Sequence, residues 1–256
     1  MGRLDGKVAI ITGGAGGIGI QAGKIFVQEG AKVLLVDLSE DTLKQAAQTI
    51  GSNSVGYCPA DVTQPDQTQQ YIQAAVDRFG GVDILLANAG IEGEVKPITD
   101  YSIDMFDKVI AVNVRGVWLG LKYAASEIEK RGGGSIVITS SVAGVRGAAG
   151  VSAYIASKHA VIGIMRTAAL EMAPMKIRVN TVNPAPVDTR MMRSLEQGFQ
   201  PDDPAQVKEM MAAMVPLQRY AEPVEVAKLM LFLASEESSY CSGGVYMVDG
   251  GMTART

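Results

Sequence analysis

Six times in succession this chain passes from a short apolar run into a stretch of helical periodicity, and that alternation limits the possible folds more than any other feature. Lys7 to Thr12 (KVAIIT) is apolar almost throughout, a glycine-rich turn follows, and Gln21 to Glu29 reads as a helix closed by Gly30. Continuous apolar runs suit strands buried on both faces, and such strands connected through helices build parallel βαβ units. Lys32 to Val36 is the second strand, ending at Asp37, with Ser39 placed to cap the next helix. Ser54 to Tyr57 is a weaker third strand, and Pro65, tolerated in a first helical turn, opens a helix to about Phe79.

Asp83 to Ala87, Ser135 to Thr139 and Ile177 to Val182 continue the strands. Between them the spacing predicts a long helix from about Ser102 to Lys130, stopped by three glycines, and another from Ser152 to Ala173, ended by Pro174. Pro223 to Ala234 is a last helix and Val245 to Val248 a last strand. The expectation is one domain over residues 1–256: α/β, a Rossmann-type doubly wound parallel sheet of about seven strands with helices on both faces.

The stretch from about Ala185 to Pro216 leaves this rhythm. With Pro201, Pro204 and Pro216 among Met191, Met192, Met210, Met211 and Met214, it is expected to be a loop with one short amphipathic helix. Adaptable methionine surfaces suit a flexible substrate lid, and they suit an ordinary packing face as well.

Composition narrows the function classes. Hydrophobic residues at 47%, charged residues at 20% and a net charge of −4 describe a folded chain without the basic footprint of a nucleic-acid or anionic-membrane binder. Two cysteines, Cys58 and Cys241, form no disulfide framework and are expected as reduced thiols. No apolar run approaches the ~20 residues of a membrane span, and the strand pattern starts too early to leave room for a signal peptide, so the expected location is cytoplasmic.

Two constellations carry chemistry. Tyr154 and Lys158, four apart on a predicted helix, share one face, and a cation held beside a phenol favours the phenolate. Ser141, thirteen residues before Tyr154, could hydrogen-bond a substrate oxygen while the phenol moves its proton. The second constellation is the turn after the first strand, where Gly13, Gly17 and Gly19 follow Thr12 as TGxxxGxG. Glycines at a strand-to-helix turn admit a pyrophosphate to the backbone N–H groups and the helix dipole, although tight packing alone also calls for them. Asp37, at the end of the second strand, can accept both ribose hydroxyls of an adenosine. It would repel a 2′-phosphate, and neither Gly16 nor Leu38 supplies a cation to hold one, so NAD is expected over NADP. No His/Cys/Asp/Glu cluster has metal-ligand spacing.

Assembled in order, these elements closely resemble the short-chain dehydrogenase/reductase family in its compact single-domain branch. The resemblance rests on TGxxxGxG at Thr12 to Gly19, Asp37, Asp61-Val62, Asn88-Ala89-Gly90, Asn113, Ser141, Tyr154-x-x-x-Lys158, and Asn183-Pro184 followed by Val187 and Thr189. It implies that Gly13, Gly17, Ile18, Gly19, Asp37 and Leu38 meet the dinucleotide, that Asp61 and Val62 contact the adenine, and that Asn88, Ala89 and Gly90 form the cofactor floor. Val187 and Thr189 would hold the nicotinamide carboxamide. Ser141 would orient the substrate oxygen, Tyr154 would be the general acid/base, and Lys158 would bind the nicotinamide ribose and depress the Tyr154 pKa. Asn113 would hold a water joining Lys158 to solvent; an amide inside a long helical run is a poor helix former, which independently favours a polar role.

The implied activity is NAD-dependent interconversion of a small-molecule secondary alcohol and a ketone. A 3-oxoacyl-thioester reductase and a non-catalytic dinucleotide-binding sensor are the alternatives. The resemblance also implies a homo-oligomer, commonly a tetramer built on the two long helices and the last strand. Two departures stand out: Ala185 replaces a common glycine, with Pro186 stiffening the turn, and Ala87 replaces a frequent asparagine. His159 points about 100° around its helix from Lys158 and is expected to serve packing or an interface.

Overall fold

The computed structural model describes residues 2–254 of the chain; Met1, Arg255 and Thr256, at the ends of the expected domain, lie outside the described residues. Seven parallel strands form one sheet in the order β3-β2-β1-β4-β5-β6-β7. They are β1 (Val8–Thr12), β2 (Lys32–Asp37), β3 (Val55–Pro59), β4 (Ile84–Ala87), β5 (Gly134–Thr139), β6 (Ile177–Pro184) and β7 (Val245–Val248). This is the expected single-domain doubly wound architecture. The strand order reverses between β1 and β4, and a crevice opens at such a switch point beyond the carboxyl ends of the strands.

The pleat sorts the core into two layers. Val8 and Ile10 of β1 face α3 (Pro65–Phe79), α5 (Gly116–Lys130) and α6 (Ser152–Glu171), packing against Tyr71, Leu121 and Met165. Ala9 and Ile11 face α1 (Gly17–Gln28), α2 (Glu40–Ile50) and α9 (Pro223–Ala234), against Phe26, Leu43 and Met230. Alternate residues of one strand thus serve opposite faces, the physical reason the central strands β1 and β4 are almost wholly apolar. Local signals act as expected: Ser39 Oγ accepts from Thr42 N at 3.4 Å, Pro65 sits in the first turn of α3, and Gly51 and Gly80 close α2 and α3 with φ of 68° and 90°.

Four elements differ from the sequence expectation. Helix α1 begins at Gly17, not Gln21, because the glycines that lower helix propensity occupy its first turn, where packing requires them. The long helix from Ser102 is broken into α4 (Ile103–Ile110) and α5 by a π-helical turn at Ala111–Arg115, centred on the buried Asn113. The 185–216 stretch holds two helices, not one: α7 (Arg190–Phe199) and α8 (Pro204–Met214), the second capped by Asp203, whose Oδ1 accepts from Gln206 N at 3.1 Å. Strand β6 runs on through Asn183 and Pro184, with Pro184 in register with Val248.

Candidate active site

Every residue proposed from sequence lies at or beyond the carboxyl end of a strand, or on the helices bordering that end. After β1, Gly13 adopts φ +65°, open to glycine at little cost, and a Cβ there would come 2.9 Å from Ala89 Cα. At Gly19 a Cβ would lie 2.3 Å from Gly13 O, so the first turn of α1 folds tightly against the strand end. Gly17 meets Thr189 from the other side, a Cβ on it falling 3.3 Å from Thr189 Cγ2. The turn and the 187–189 loop therefore face each other across the crevice. Ile18 occupies the same first helical turn.

Asp37 ends β2 with its carboxylate directed back to the turn: Oδ2 accepts from Ala15 N at 3.1 Å and Oδ1 from Leu38 N at 2.9 Å. Two carboxylate oxygens keep lone pairs beyond these bonds. Leu38 beside it is exposed. Asp61 stabilises its own turn by accepting from Thr63 N at 2.9 Å, and Val62 is buried against Gly116. Val187 is buried in the core layer of α9, so any part it plays in the crevice falls to its main chain.

A hydrogen-bonded line crosses the strand ends. Thr12 Oγ1 accepts from Asn88 N and Ala89 N at 3.0 and 3.1 Å, fixing the chain after β4 to the end of β1. Asn88 Nδ2 donates to Thr12 O and Gly13 O, and its Oδ1 accepts from Thr139 Oγ1 at 3.0 Å. Thr139 O in turn accepts from Lys158 Nζ at 2.8 Å. Gly90 completes the junction: a Cβ there would be 3.6 Å from Lys158 Nζ and 3.3 Å from Asn113 Oδ1.

Helix α6 carries Tyr154 and Lys158 on one face, with Lys158 Nζ 5.4 Å from the centroid of the Tyr154 ring. Lys158 is only 4% exposed, and burial pushes its pKa down to about 8. Burial also pushes the Tyr154 phenol up to about 12, opposed by hydrogen bonding with the Ser141 hydroxyl and assisted by the negative charge of Glu92. The net direction is upward and set by desolvation, against the lowering expected from a neighbouring cation. Ser141 caps a short turn, its Oγ accepting from Ala143 N at 3.1 Å and donating to Pro184 O at 3.4 Å.

Asn113, 1% exposed, spends its side chain on the fold: Oδ1 accepts from Ile91 N and Nδ2 donates to Ile91 O, both at 2.9 Å. The second amide hydrogen goes to Ser157 Oγ at 3.0 Å, and Ser157 donates to Tyr154 O at 2.8 Å. Sequence reasoning passed over Ser157, Thr139 and the Thr12 hydroxyl. Ser157 had a signal, since position three after Tyr154 brings a serine hydroxyl back to the tyrosine carbonyl on a helix.

The turn at Ala185 and Pro186 is fixed through its main chain, with Pro186 O accepting from Ala221 N at 2.9 Å. Ala185 N donates to Val248 O at 3.0 Å, continuing the β6–β7 ladder, and Lys176 and Gln218 are the only non-glycine residues with positive φ among those described. His159 is exposed, its Nδ1 3.0 Å from Ile155 O. Both cysteines are free, and among the described residues no acidic, histidine or cysteine cluster could hold a metal and no helix is long and apolar enough to cross a membrane.

A glycine cradle at a helix start, an acidic residue after the second strand and a Tyr-Lys pair at the switch point define a dinucleotide-dependent oxidoreductase. A family model described as enoyl-(acyl carrier protein) reductase matches residues 13–253. Levodione reductase of Leifsonia aquatica is 36% identical over 98% of this chain and 96% of its own length. The 3-alpha-(or 20-beta)-hydroxysteroid dehydrogenase of Mycobacterium tuberculosis is 39% identical over 99% of this chain and 92% of its own. A crystal structure of levodione reductase superposes with a TM-score of 0.96 at 35% identity, covering 99% of this chain and all of that one. The chain belongs to the short-chain dehydrogenase/reductase family. It is an oxidoreductase, and its redox partner is a nicotinamide dinucleotide.

Proposed function

We propose that this protein interconverts a secondary alcohol and a ketone with NAD, using Asn113, Ser141, Tyr154 and Lys158 as its catalytic set. The observation that carries the reading is their convergence: a buried Lys158 against the Tyr154 ring, Ser141 acting on the phenol to oppose its upward shift, and Asn113 tied to the same helix through Ser157. The relatives above are named for a reductase of levodione and a dehydrogenase of hydroxysteroids.

Bound nicotinamide supplies or accepts the hydride. The chain does the rest. Gly13, Gly17, Ile18 and Gly19 take the pyrophosphate against main-chain N–H groups, a fit supported by the cradle that a Cβ at Gly19 would fill. Asp37 accepts the adenosine ribose hydroxyls beside the exposed Leu38, and its charge favours NAD over NADP. Asp61 and Val62 border the adenine, Asn88, Ala89 and Gly90 lie beneath the cofactor, and Val187 and Thr189 hold the carboxamide. Ser141 orients the substrate oxygen while Tyr154 gives up or takes its proton. With its phenol held protonated, Tyr154 is set to donate during ketone reduction.

The 185–216 segment serves as the substrate lid, with α7 and α8 as its helices. Exposed Ile103, Trp118 and Leu170 on α4, α5 and α6 support assembly as a homo-oligomer, a tetramer in this reading, in the cytoplasm. Tyr154→Phe tests the chemistry. Turnover of a ketone panel with NADH should vanish while NADH binding persists; near-normal turnover would remove Tyr154 from its role. Running the panel with NADPH as well separates this reading from a 3-oxoacyl-thioester reductase.

A further inference from the structure

We infer that Val95 is the stop against which the lid helix α7 seats, and that it thereby sets the width of the substrate cleft. The inference rests on the oxidoreductase reading above and deepens it. Three stretches without motifs border the catalytic end of α6: the loop after β4, the segment between Ser141 and Tyr154, and α7. They meet at Val95. Lys96 N donates to Gly150 O at 2.8 Å, and Lys96 bridges to Val151, joining the first two. The Val95 side chain then faces one glycine on each of the others. A Cβ on Gly150 would lie 3.3 Å from Val95 Cγ1, and one on Gly198 only 2.7 Å from Cγ2. Phe199, next on α7, approaches the same glycine, with Cε1 3.7 Å from the Gly150 Cβ position.

The two glycines have different causes. Gly150 has φ +82°, a conformation that demands glycine whatever surrounds it. Gly198 has no such backbone need and weakens the helix that contains it. What its missing side chain provides is room for Val95. A β-branched residue is stiff about χ1 and cannot swing away to make that room itself.

The stop is mounted on a fastened loop. Ile91 is held at both its N–H and its carbonyl by Asn113, Gly93 turns with φ +78° against Tyr101 and Val109, and Glu94 N donates to Tyr101 Oη at 3.0 Å. At its other end α7 is tethered through Arg193 to Asp188, which also pairs with Lys208 of α8 at 3.6 Å. Helix α7 is thus hinged beside Thr189 and comes to rest on Val95, so a change at the resting point alters how far the lid stands from the catalytic residues.

The experiment compares Gly198→Ala, Val95→Ala and the double variant with the wild type, using cyclohexanone and the bulkier 2-decalone with NADH. Gly198→Ala should hold the lid outward and raise the kcat/KM ratio of decalone to cyclohexanone roughly tenfold, the scale on which pocket contacts of methylene size discriminate. Removing the Val95 methyls makes space for the new Cβ, so the double variant should return to within about twofold of wild type, the coupling expected of residues in contact. Limited proteolysis with NADH present, read by mass spectrometry, gives a second measure independent of turnover. Cleavage within α7 and α8 should speed up in each single variant and recover in the double. An unchanged ratio and cleavage rate in Gly198→Ala, or a double variant no better than the singles, overturns the role of Val95. If the wild type reduces neither ketone, the functional reading is at fault, and the cleavage cycle still decides the Val95 contact.

Discussion

Lys158 should make the apoprotein less stable at neutral pH, and its replacement by methionine should expose that cost as a change in pH dependence. Burial moves its titration from the ordinary 10.5 down to about 8. The unfolded chain therefore keeps the proton across a window in which the folded chain releases it, and stability rises with pH through that window. At about 1.4 kcal/mol per pH unit, the whole displacement is worth about 3 kcal/mol, fully present above 10.5 and lost as pH falls through 8. Between pH 7 and pH 9 about 1 kcal/mol of this should be recovered. Lys158→Met keeps the apolar stem and removes the titration. It also forfeits the hydrogen bond from Nζ to Thr139 O, a loss of about 1 kcal/mol that does not vary with pH. Urea unfolding of both apoproteins at pH 7, 8 and 9 is the assay, since groups common to both cancel in the difference. The range stops below pH 10 because the raised Tyr154 acts in the opposite direction there: the unfolded phenol ionises near 10 and the folded one at about 12, so stability is lost as pH rises through 12. The wild-type advantage should grow by about 1 kcal/mol from pH 7 to pH 9; parallel pH profiles would refute the burial argument.

Ser157→Ala removes a hydroxyl that is 0% exposed and leaves one Asn113 amide hydrogen without an acceptor. That should cost about 1–3 kcal/mol, seen as a Tm lowered by about 2–4 °C for each kcal/mol, with kcat falling more than KM rises. Asp37→Ser combined with Leu38→Arg removes the charge that opposes a 2′-phosphate and adds one that holds it. The kcat/KM preference measured with NADH and NADPH should shift towards NADPH, and an unaltered preference would dissociate Asp37 from the ribose.

The sheet and its order of elements were legible because the central strands β1 and β4 are buried on both faces and almost wholly apolar, and every strand alternates with a helical run. The Tyr154-Lys158 pair was legible for a similar reason, since four-residue spacing fixes a shared helical face whatever the tertiary context. What escaped was set by contacts distant in sequence. Gly17 and Gly19 read as helix breakers, yet Gly13 O presses on the position where a Gly19 Cβ would stand, so the helix starts among them. Asn113 was read as a polar intruder in a helix, but its partner Ile91 lies 22 residues away, and only the fold shows that the amide sits in a π turn. Two helices stand where one was expected because the prolines and Gly198 read as breaks in one short helix, although the amphipathic Arg190–Phe199 run and the Asp203-Pro204 cap before α8 were signals that could have been read separately. Ala185 looked like a departure in a turn that needs glycine, whereas it follows β6 with no positive φ, its N–H donating to Val248 O, so alanine fits there.

The same geometry explains why a chain would retain a cation as costly as Lys158. Its ammonium is held by Thr139 O, the Thr139 hydroxyl holds Asn88, and the Asn88 amide holds Gly13 O, so one polar line joins α6 to the glycine turn across the ends of β5, β4 and β1. A satisfied buried network of this kind fixes its members in place, and an unsatisfied one is penalised heavily. Burial moves Tyr154 up and Lys158 down, which separates the two titrations widely and leaves a phenol that keeps its proton beside a cation that has lost most of its water. Opposed shifts on adjacent groups in a cleft are what acid–base chemistry requires and what stability alone would select against. The cost lies at the carboxyl ends of the strands, where the glycine cradle and Asp37 also converge, and nowhere else among the described residues does the sheet bury a lysine.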